Sequence, residues 1–217
     1  MISLERITAD FKAIARCTHT PGNGATRPTF SPEWGKARDY VIAEAKRAGA
    51  TVRIDAAGNV FAKPAALRPV DRTWLVGSHI DTVPHGGDYD GVAGIVVALE
   101  LLRSAHEDNI ADLPVELVIF AEEEGPTFGL GMLGSRVMSG ELGASQLQTL
   151  LNLDSKSYIE AGAPYGVERD KLADARIDPS KHHGLIELHI EQGPGMWRRD
   201  QRLAVVTAIA GRHQYKV

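Results

Sequence analysis

The chain has 217 residues, and 43% of them are hydrophobic, so it is long enough to bury a substantial core and too apolar for a disordered protein. Its formal net charge is −4, and it lacks the clustered Lys and Arg residues of a nucleic-acid-binding face. We therefore expect a folded protein whose partner is a small molecule and not a nucleic acid.

The sequence also predicts a cytoplasmic protein without a membrane partner. The N-terminal segment mixes charged with apolar residues, unlike a signal peptide, and no segment stays apolar over the length that crosses a bilayer. The single cysteine, Cys17, cannot form an internal disulfide bond, which fits a reducing compartment. Because Cys17 ends an amphipathic helix pattern and has no obvious activating partner, a packed thiol is favoured over a nucleophile.

Two helices and a hairpin are predicted at the start of the chain. The first helix is indicated by apolar residues at helical spacing, which are Leu4, Ile7, Phe11 and Ile14. The second has Ser31 as its N-cap, Pro32 at its first position and Gly49 just past its end. Between residues 51 and 63, two short runs flank a Gly-Asn turn and predict a hairpin or a pair of edge strands.

An α/β fold is predicted by the next part of the chain. Apolar runs predict a strand, a helix and two further strands, which in chain order are residues 73–77, 91–105, 115–121 and 185–190. The strand-helix-strand order is typical of parallel strands joined by a right-handed crossover. We therefore expect a mostly parallel central sheet flanked by helices. Residues 149–154 and 203–211 also have strand-like patterns.

Residues of the types that can bind metals lie near the ends of the predicted strands or just before the predicted helix. They are His79, Asp81, Asp90, Glu122, Glu123, Glu124 and His189. Because the carboxyl ends of parallel strands line one crevice, we expect these side chains to converge there. In the last predicted strand, alternation places Glu187 and His189 on one face and apolar residues on the other.

This combination of imidazoles and carboxylates predicts a divalent metal site. Such mixed nitrogen and oxygen ligands suit zinc, manganese or related ions. Gly86, Gly87 and Gly91 surround Asp90, and a backbone that folds back to aim this carboxylate needs unusual dihedral angles. Adjacent glutamates offer one metal ligand and one general base, which is the pattern of a metal-dependent hydrolase.

Each motif has a simpler interpretation when it is taken alone. The His79 loop can be a turn with an N-capping Asp90, the glutamate run a solvated acidic turn, and His189 a hydrogen-bonded strand residue. The joint position of the motifs at strand ends favours the metal site. No role is assigned to the other histidines singled out, which are His85, His106, His182, His183 and His213.

A glycine pattern competes with this interpretation. Gly129, Gly131 and Gly134 spell G-x-G-x-x-G, and Asp154 follows at the spacing of a dinucleotide-binding fingerprint. No predicted strand directly precedes these glycines, and the glutamates before them would repel a pyrophosphate. A dinucleotide site is therefore rejected.

Six blocks of sequence, spread from end to end, resemble those of one enzyme family. They are RITADF (6–11), FSPEWGKARDY (30–40), DAAGNVFAK (55–63), GSHIDTVPHGGDYDGVAG (77–94), FAEEEGPTFGLGMLGSR (120–136) and ELHIEQGP (187–194). The chain resembles the N-carbamoyl-L-amino-acid amidohydrolases, allantoate amidohydrolases and β-ureidopropionases, which are relatives of the di-zinc aminopeptidases. ELHIEQGP separates this branch from ordinary peptidases of the superfamily.

The resemblance implies a catalytic domain that binds two divalent metal ions. His79, Asp90 and His189 would hold one ion, and Asp90 would bridge to a second ion bound by Glu124. Zinc is the expected metal, with manganese, nickel or cobalt as alternatives.

The resemblance also implies the reaction. A metal-activated water would attack the ureido carbonyl of an N-carbamoyl-L-amino acid or of allantoate, with Glu123 as general base. Asp81 would orient His79, and Gln192 would line the substrate pocket.

The chain departs from the family pattern in its length, because family members continue into a lid domain that carries their dimer surface and then supply a further metal-binding histidine. Residues 1–204 would be the N-terminal part of the catalytic domain, and residues 205–217 the start of a truncated lid domain. The second metal site would then be incomplete. Two alternatives stay open, namely an inactive or split fragment that binds metal but needs a second half, and an aminoacylase or dipeptidase of the same superfamily.

Overall fold

One five-stranded sheet organises the fold, which a computed structural model describes for residues 1–209 and 211. Its strands are β1 (Ala50–Ile54), β2 (Val60–Pro64), β3 (Thr73–His79), β4 (Val115–Phe120) and β5 (His182–Ile186). Their order across the sheet is β1-β2-β4-β3-β5, and among these described strands only β2 runs against the other four. The predicted α/β class with a mostly parallel sheet is confirmed.

The helices lie before, between and after these strands. They are α1 (Leu4–Ala15), α2 (Pro32–Arg47), α3 (Val92–Glu107), α4 (Leu133–Met138), α5 (Ala144–Leu147), α6 (Tyr158–Gly162) and α7 (Gly195–Arg198). Short 3₁₀ helices span Ala163–Tyr165, Arg169–Ala175 and Pro179–Lys181. Within residues 1–209 and 211, none of the helices has the length and apolar character needed to cross a membrane.

Local sequence signals set α2 and the hairpin as predicted. The Ser31 hydroxyl accepts a hydrogen bond from the backbone N–H of Trp34 (3.2 Å), and Pro32 occupies the first helical position, where no donor is needed. Gly49, just beyond the helix, has a φ of +69°, a left-handed conformation that glycine adopts without a steric penalty. The chain then enters β1, which pairs antiparallel with β2.

The crossover through α3 brings two strand ends together. β3 and β4 are parallel neighbours, and His79 at the end of β3 is in register with Phe120 at the end of β4. Along β3, Val76 belongs to the main core with the apolar face of α3, whereas Leu75 belongs to a smaller cluster on the other side of the sheet. The central strands β3 and β4 are therefore packed on both faces over most of their length, and the candidate site residues lie at or beyond the ends of the strands.

Residues 149–154 do not form a strand, contrary to the prediction. The side chain of Asn152 accepts hydrogen bonds from the backbone N–H groups of Asp154 (3.0 Å) and Lys156 (2.9 Å), which turns the chain. Leu153, which contributed to the apolar pattern, is fully exposed. Local turn chemistry overrides the pattern here.

The last strand lies earlier in the sequence than predicted. β5 ends at Ile186, so residues 187–190 lie beyond it, and the grouping of Glu187 with His189 on one strand face was wrong. The backbone pairing with β3 stops at Ile186, and just beyond it the Glu187 carboxylate accepts a hydrogen bond from the Ser78 hydroxyl of β3.

The end of the chain is described only in part. Residues 203–209 and 211 form no strand, although a strand was predicted at 203–211. Residues 210 and 212–217 lie outside the described residues, and they include His213. The predicted boundary of a lid domain at residue 205 stays a prediction.

A buried ion cluster joins the three long helices. Asp10 of α1 and Glu100 of α3 are each 1% exposed. Arg103 donates hydrogen bonds to both carboxylate oxygens of Asp10 and to Glu44 of α2, and Arg6 donates to Glu100. Buried carboxylates are tolerated only when they are paired in this way.

Replacing Arg103 with methionine is expected to lower the free energy of unfolding by about 3 kcal/mol, because the charge of Asp10 is left buried without its partner. Urea denaturation measures this loss. The control is Lys171→Met, which breaks an exposed ion pair with Glu168 and is expected to leave stability nearly unchanged. Equal stability of the two variants would contradict this role of the cluster.

Candidate metal centre

His79 presents a free ring nitrogen to the crevice. It is the last residue of β3 and is 1% exposed. Its Nδ1 lies 2.9 Å from the backbone carbonyl oxygen of Asp81, so a proton on Nδ1 donates to that oxygen and Nε2 keeps its lone pair. Nε2 is buried and has no hydrogen-bond partner. A buried acceptor of this kind calls for a cation or a donor that completes the site.

Asp90 and His189 complete a cluster of three donors around this atom. The Oδ1 atom of Asp90 lies 3.1 Å from Nε2 of His189 and 3.8 Å from Nε2 of His79. Neither contact has hydrogen-bond geometry, and Oδ1 is buried without a partner. One donor atom from each of the three residues lies within 4.8 Å of the others. These three donors fit one divalent ion.

Both imidazoles are oriented by the main chain. The Nδ1 atom of His189 lies 2.9 Å from the carbonyl oxygen of Ile190, which matches the contact of His79 with the carbonyl oxygen of Asp81. In each case Nδ1 is engaged and Nε2 faces the cluster. This is the tautomer that a metal ligand of this geometry needs.

Gly91 makes room for the His79 ring. It is the N-cap of α3 and has a φ of +65°. A Cβ atom at this position would lie 2.6 Å from atoms of the His79 ring, which is closer than real contacts allow. The prediction of an unusual dihedral angle holds for Gly91 but was wrong for Gly86 and Gly87, whose φ angles are not in the positive range. Of these three glycines, Gly91 alone has a positive φ, and it also has the closest approach to a neighbouring residue.

Asp81 links the end of β3 to the glutamates. Its Oδ2 atom accepts a hydrogen bond from the backbone N–H of Glu124 (3.0 Å). Its Oδ1 atom lies 3.7 Å from Nδ1 of His79, beyond hydrogen-bond distance, so the backbone carbonyl makes the contact that orients the ring. The carboxylate instead fixes the position of the glutamate segment beside the cluster.

The three glutamates occupy different surroundings. Glu123 lies beside the cluster, with its Oε2 atom 3.5 Å from Nε2 of His79. Glu124 is held through its backbone, and its carboxylate is not among the clustered donors in the described part of the chain. Glu122 is fully buried and faces away from the crevice, toward the backbone of residues 127 and 128. Of the three glutamates, Glu123 is the one whose carboxylate lies within 4 Å of an imidazole nitrogen of the cluster.

Burial raises the pKa of the Glu123 carboxyl group, and the nearby carboxylates of Asp81, Glu187 and Asp90 raise it further, while His79 opposes them. Burial likewise raises the pKa of the Glu124 carboxyl group. A carboxyl group with a raised pKa takes up and releases a proton closer to neutral pH than an ordinary one.

Gln192 lies against one of the candidate metal ligands. Its Nε2 atom donates a hydrogen bond to Oδ2 of Asp90 (2.7 Å). Gln192 also has a φ of +54°, an uncommon conformation for a residue other than glycine. The residue predicted to line a substrate pocket therefore lies at the edge of the metal cluster.

Sequence reasoning missed a buried residue that supports the glutamates. Asn59 is fully buried, and its side chain donates hydrogen bonds to Asp55 (2.8 Å) and to the backbone carbonyl of Gly134 (3.1 Å). Its Oδ1 atom accepts a hydrogen bond from the backbone N–H of Ala121 (3.0 Å), the residue just before the glutamates. The only signal in the sequence was a Gly-Asn turn, which predicts the hairpin and not this contact.

Arg27 is a second buried residue without an assigned role. Its guanidinium group donates hydrogen bonds to the backbone carbonyls of Ile80, Ile14 (3.1 Å) and Cys17 (2.8 Å). It therefore ties the residue between His79 and Asp81 to the end of α1. No motif in the sequence pointed to it.

The chain is similar to known amidohydrolases over nearly its whole length. Residues 75–210 match Peptidase family M20/M25/M40. The N-carbamoyl-L-amino-acid amidohydrolase of Paenarthrobacter aurescens is 37% identical over 208 residues, which cover 95% of this chain and 50% of that protein. The allantoate amidohydrolase of Bacillus subtilis (strain 168) is 32% identical over 97% of this chain and 51% of that protein.

The chain belongs to the M20/M25/M40 family. Among solved structures, an amidase of the hydantoinase/carbamoylase family from Burkholderia vietnamiensis matches with a TM-score of 0.81 and 34% identity, over 92% of this chain and 48% of that chain. The predicted resemblance to carbamoylases and allantoate amidohydrolases within this family is confirmed. The chain spans about half the length of the curated relatives that it matches.

Gly91→Ala is expected to weaken Zn²⁺ binding about tenfold to a hundredfold, because the added methyl group displaces the His79 ring from the cluster. Isothermal titration calorimetry with Zn²⁺ measures the change. Gly87→Ala is the matched control in the same loop, since a Cβ atom there meets nothing within 4 Å. Unchanged affinity in Gly91→Ala, or an equal loss in Gly87→Ala, would refute the assignment of His79.

Proposed function

We propose that the protein to which this chain belongs is a metal-dependent amidohydrolase that cleaves the carbamoyl or ureido C–N bond of N-carbamoyl-L-amino acids or allantoate. The observation that carries the proposal is the cluster of His79, Asp90 and His189 with the Glu123 carboxylate beside it, at the carboxyl end of parallel strands. The names of the similar proteins support the choice of bond, because a carbamoylated amino acid and allantoate share the ureido group.

His79, Asp90 and His189 would hold one divalent ion, and Asp90 would share a second ion with Glu124. A bound ion of this kind polarises a carbonyl group and lowers the pKa of a water molecule. Zinc suits the mixed nitrogen and oxygen donors, and manganese, nickel and cobalt accept the same set. The backbone N–H of Glu124 donates a hydrogen bond to Asp81, and this contact supports the placement of Glu124 beside the cluster.

Glu123 would act as the general base. Its carboxylate lies beside the cluster, and its raised pKa suits a group that accepts a proton from the attacking water and then returns it to the leaving nitrogen. With an N-carbamoyl amino acid, this sequence releases ammonia and a carbamate, and the carbamate then yields carbon dioxide and the amino acid. Asp81 would hold His79 and the glutamate segment in place, and Gln192 would contact Asp90 or the substrate.

A second function, metal binding without turnover by this chain alone, is supported by one observation. The cluster in the described residues contains three donors and does not include Glu124. The first ion site is therefore better formed than the second. Turnover would then require further residues, in line with the length of the relatives.

Glu123→Gln is expected to lower ammonia release from N-carbamoyl amino acids at least about a hundredfold, because the amide cannot accept the proton. Its metal content is expected to stay near that of the original chain, since Glu123 is not among the clustered donors. His79→Ala is expected to lower the metal content itself. Elemental analysis and an ammonia assay on the same samples separate the two effects. Equal metal loss in both variants would refute this division of roles.

A parallel assay with N-acyl amino acids tests the substrate class. Faster cleavage of these compounds than of N-carbamoyl amino acids and allantoate would favour an aminoacylase or dipeptidase.

A further inference from the structure

We infer that Glu122, the first of the three consecutive glutamates, is a positioning residue whose buried carboxylate fixes the segment that carries Glu123 and Glu124. The inference rests on the proposed function, in which those two residues act beside the metal cluster. Glu122 itself faces away from the crevice, so it would contact neither the metal nor the substrate.

The backbone of Glu122 turns its side chain into the protein. Its φ is +52°, in the left-handed region that residues other than glycine seldom adopt. Its side chain is fully buried, whereas the Glu123 side chain is 36% exposed beside the cluster. With this backbone angle, the side chain of Glu122 lies inside the protein while that of Glu123 lies beside the cluster.

The carboxylate of Glu122 closes the following loop. Its Oε1 atom accepts hydrogen bonds from the backbone N–H groups of Thr127 (3.0 Å) and Phe128 (3.1 Å). The backbone adds two further links, because the N–H of Met132 donates to the carbonyl of Glu123 (2.9 Å) and the N–H of Leu133 donates to the carbonyl of Glu122 (3.0 Å). The loop is thus held by its first residue from both the side chain and the main chain.

The loop conformation sets the contacts of the two working glutamates. The backbone N–H of Glu124 reaches Oδ2 of Asp81 at 3.0 Å, and Oε2 of Glu123 lies 3.5 Å from Nε2 of His79. An apolar side chain could fill the space of Glu122 without the cost of burying a carboxylate. An apolar side chain, however, could not accept the hydrogen bonds from the two loop N–H groups. We therefore assign to Glu122 the role of accepting them.

The test compares Glu122→Gln with Glu122→Met. Both side chains are uncharged and similar in length, but only glutamine keeps an oxygen that accepts hydrogen bonds at this position. Amide hydrogen exchange of the chain is measured at residues 124, 127 and 128, with the amides of β4 as the internal reference for global stability.

Glu122→Met is expected to raise exchange about tenfold or more at the three loop amides while the β4 amides keep their protection, and Glu122→Gln is expected to restore loop protection. Glu141→Gln, at an exposed glutamate outside this loop, is the control and is expected to change neither set. Unchanged protection of the Glu124 amide in Glu122→Met would overturn the inference. Equal exchange in the Met and Gln variants would overturn it as well, and so would a uniform rise that includes β4.

Exchange does not depend on turnover, so the two proposals can fail separately. Loop protection decides the role of Glu122, whereas ammonia release by the unaltered protein decides the proposed reaction. Where turnover is measurable, Glu122→Met is expected to lower kcat at least about tenfold with little change in KM, and Glu122→Gln to recover most of it.

Discussion

The fold holds several carboxylates close together at one end of its sheet, and in the described residues, 1–209 and 211, no Lys or Arg forms an ion pair with them. These carboxylates are Asp81, Asp90, Glu123 and Glu124. Glu122, which is buried and faces the loop at residues 127 and 128, has no such partner in residues 1–209 and 211 either. Burial raises the pKa of the Glu122 carboxyl group to about 7, and the charge of Asp81 adds to the shift. The Nε2 atoms of both imidazoles face this cluster, as the ligands of a bound cation would.

Between the long helices α1, α2 and α3, buried carboxylates are instead paired with arginine side chains. There the buried carboxylates of Asp10 and Glu100 are matched by Arg103 and Arg6 in direct contact, and the network serves stability. At the crevice the carboxylates are not paired with Lys or Arg in this way within the described part of the chain, and the supporting contacts are hydrogen bonds to backbone groups, such as those that Asp81 and Glu122 accept. The backbone carbonyl of Asp81 orients the His79 ring, and Gly91 leaves room for it because glycine has no Cβ atom. Asn59 accepts a hydrogen bond from Ala121, the residue before the glutamates. The fold therefore fixes the positions of these carboxylates without pairing their charges with Lys or Arg in the described residues.

Sequence patterns predicted the elements whose signals are local. The Ser31 cap and the apolar face of α3 are local signals of this kind, and the parallel crossover between β3 and β4 places His79 in register with the residue that precedes the glutamate segment by two positions. The strand predicted at residues 149–154 failed because the Asn152 side chain turns the chain there. Asn59 was missed because its partners at Ala121 and Gly134 are 62 and 75 residues away, and no local pattern carries such contacts.

The most direct test of the metal centre is the zinc content of the 217-residue chain and of its Asp90→Ala variant, measured by elemental analysis after exhaustive dialysis. Asp90 contributes the oxygen between the two imidazoles, so its loss should disrupt the cluster more than any change at the glutamates. We expect the unaltered chain to retain about one zinc ion and the variant to lose it. A chain that retains no zinc, or a variant that retains as much as the unaltered chain, would contradict a metal centre at this crevice.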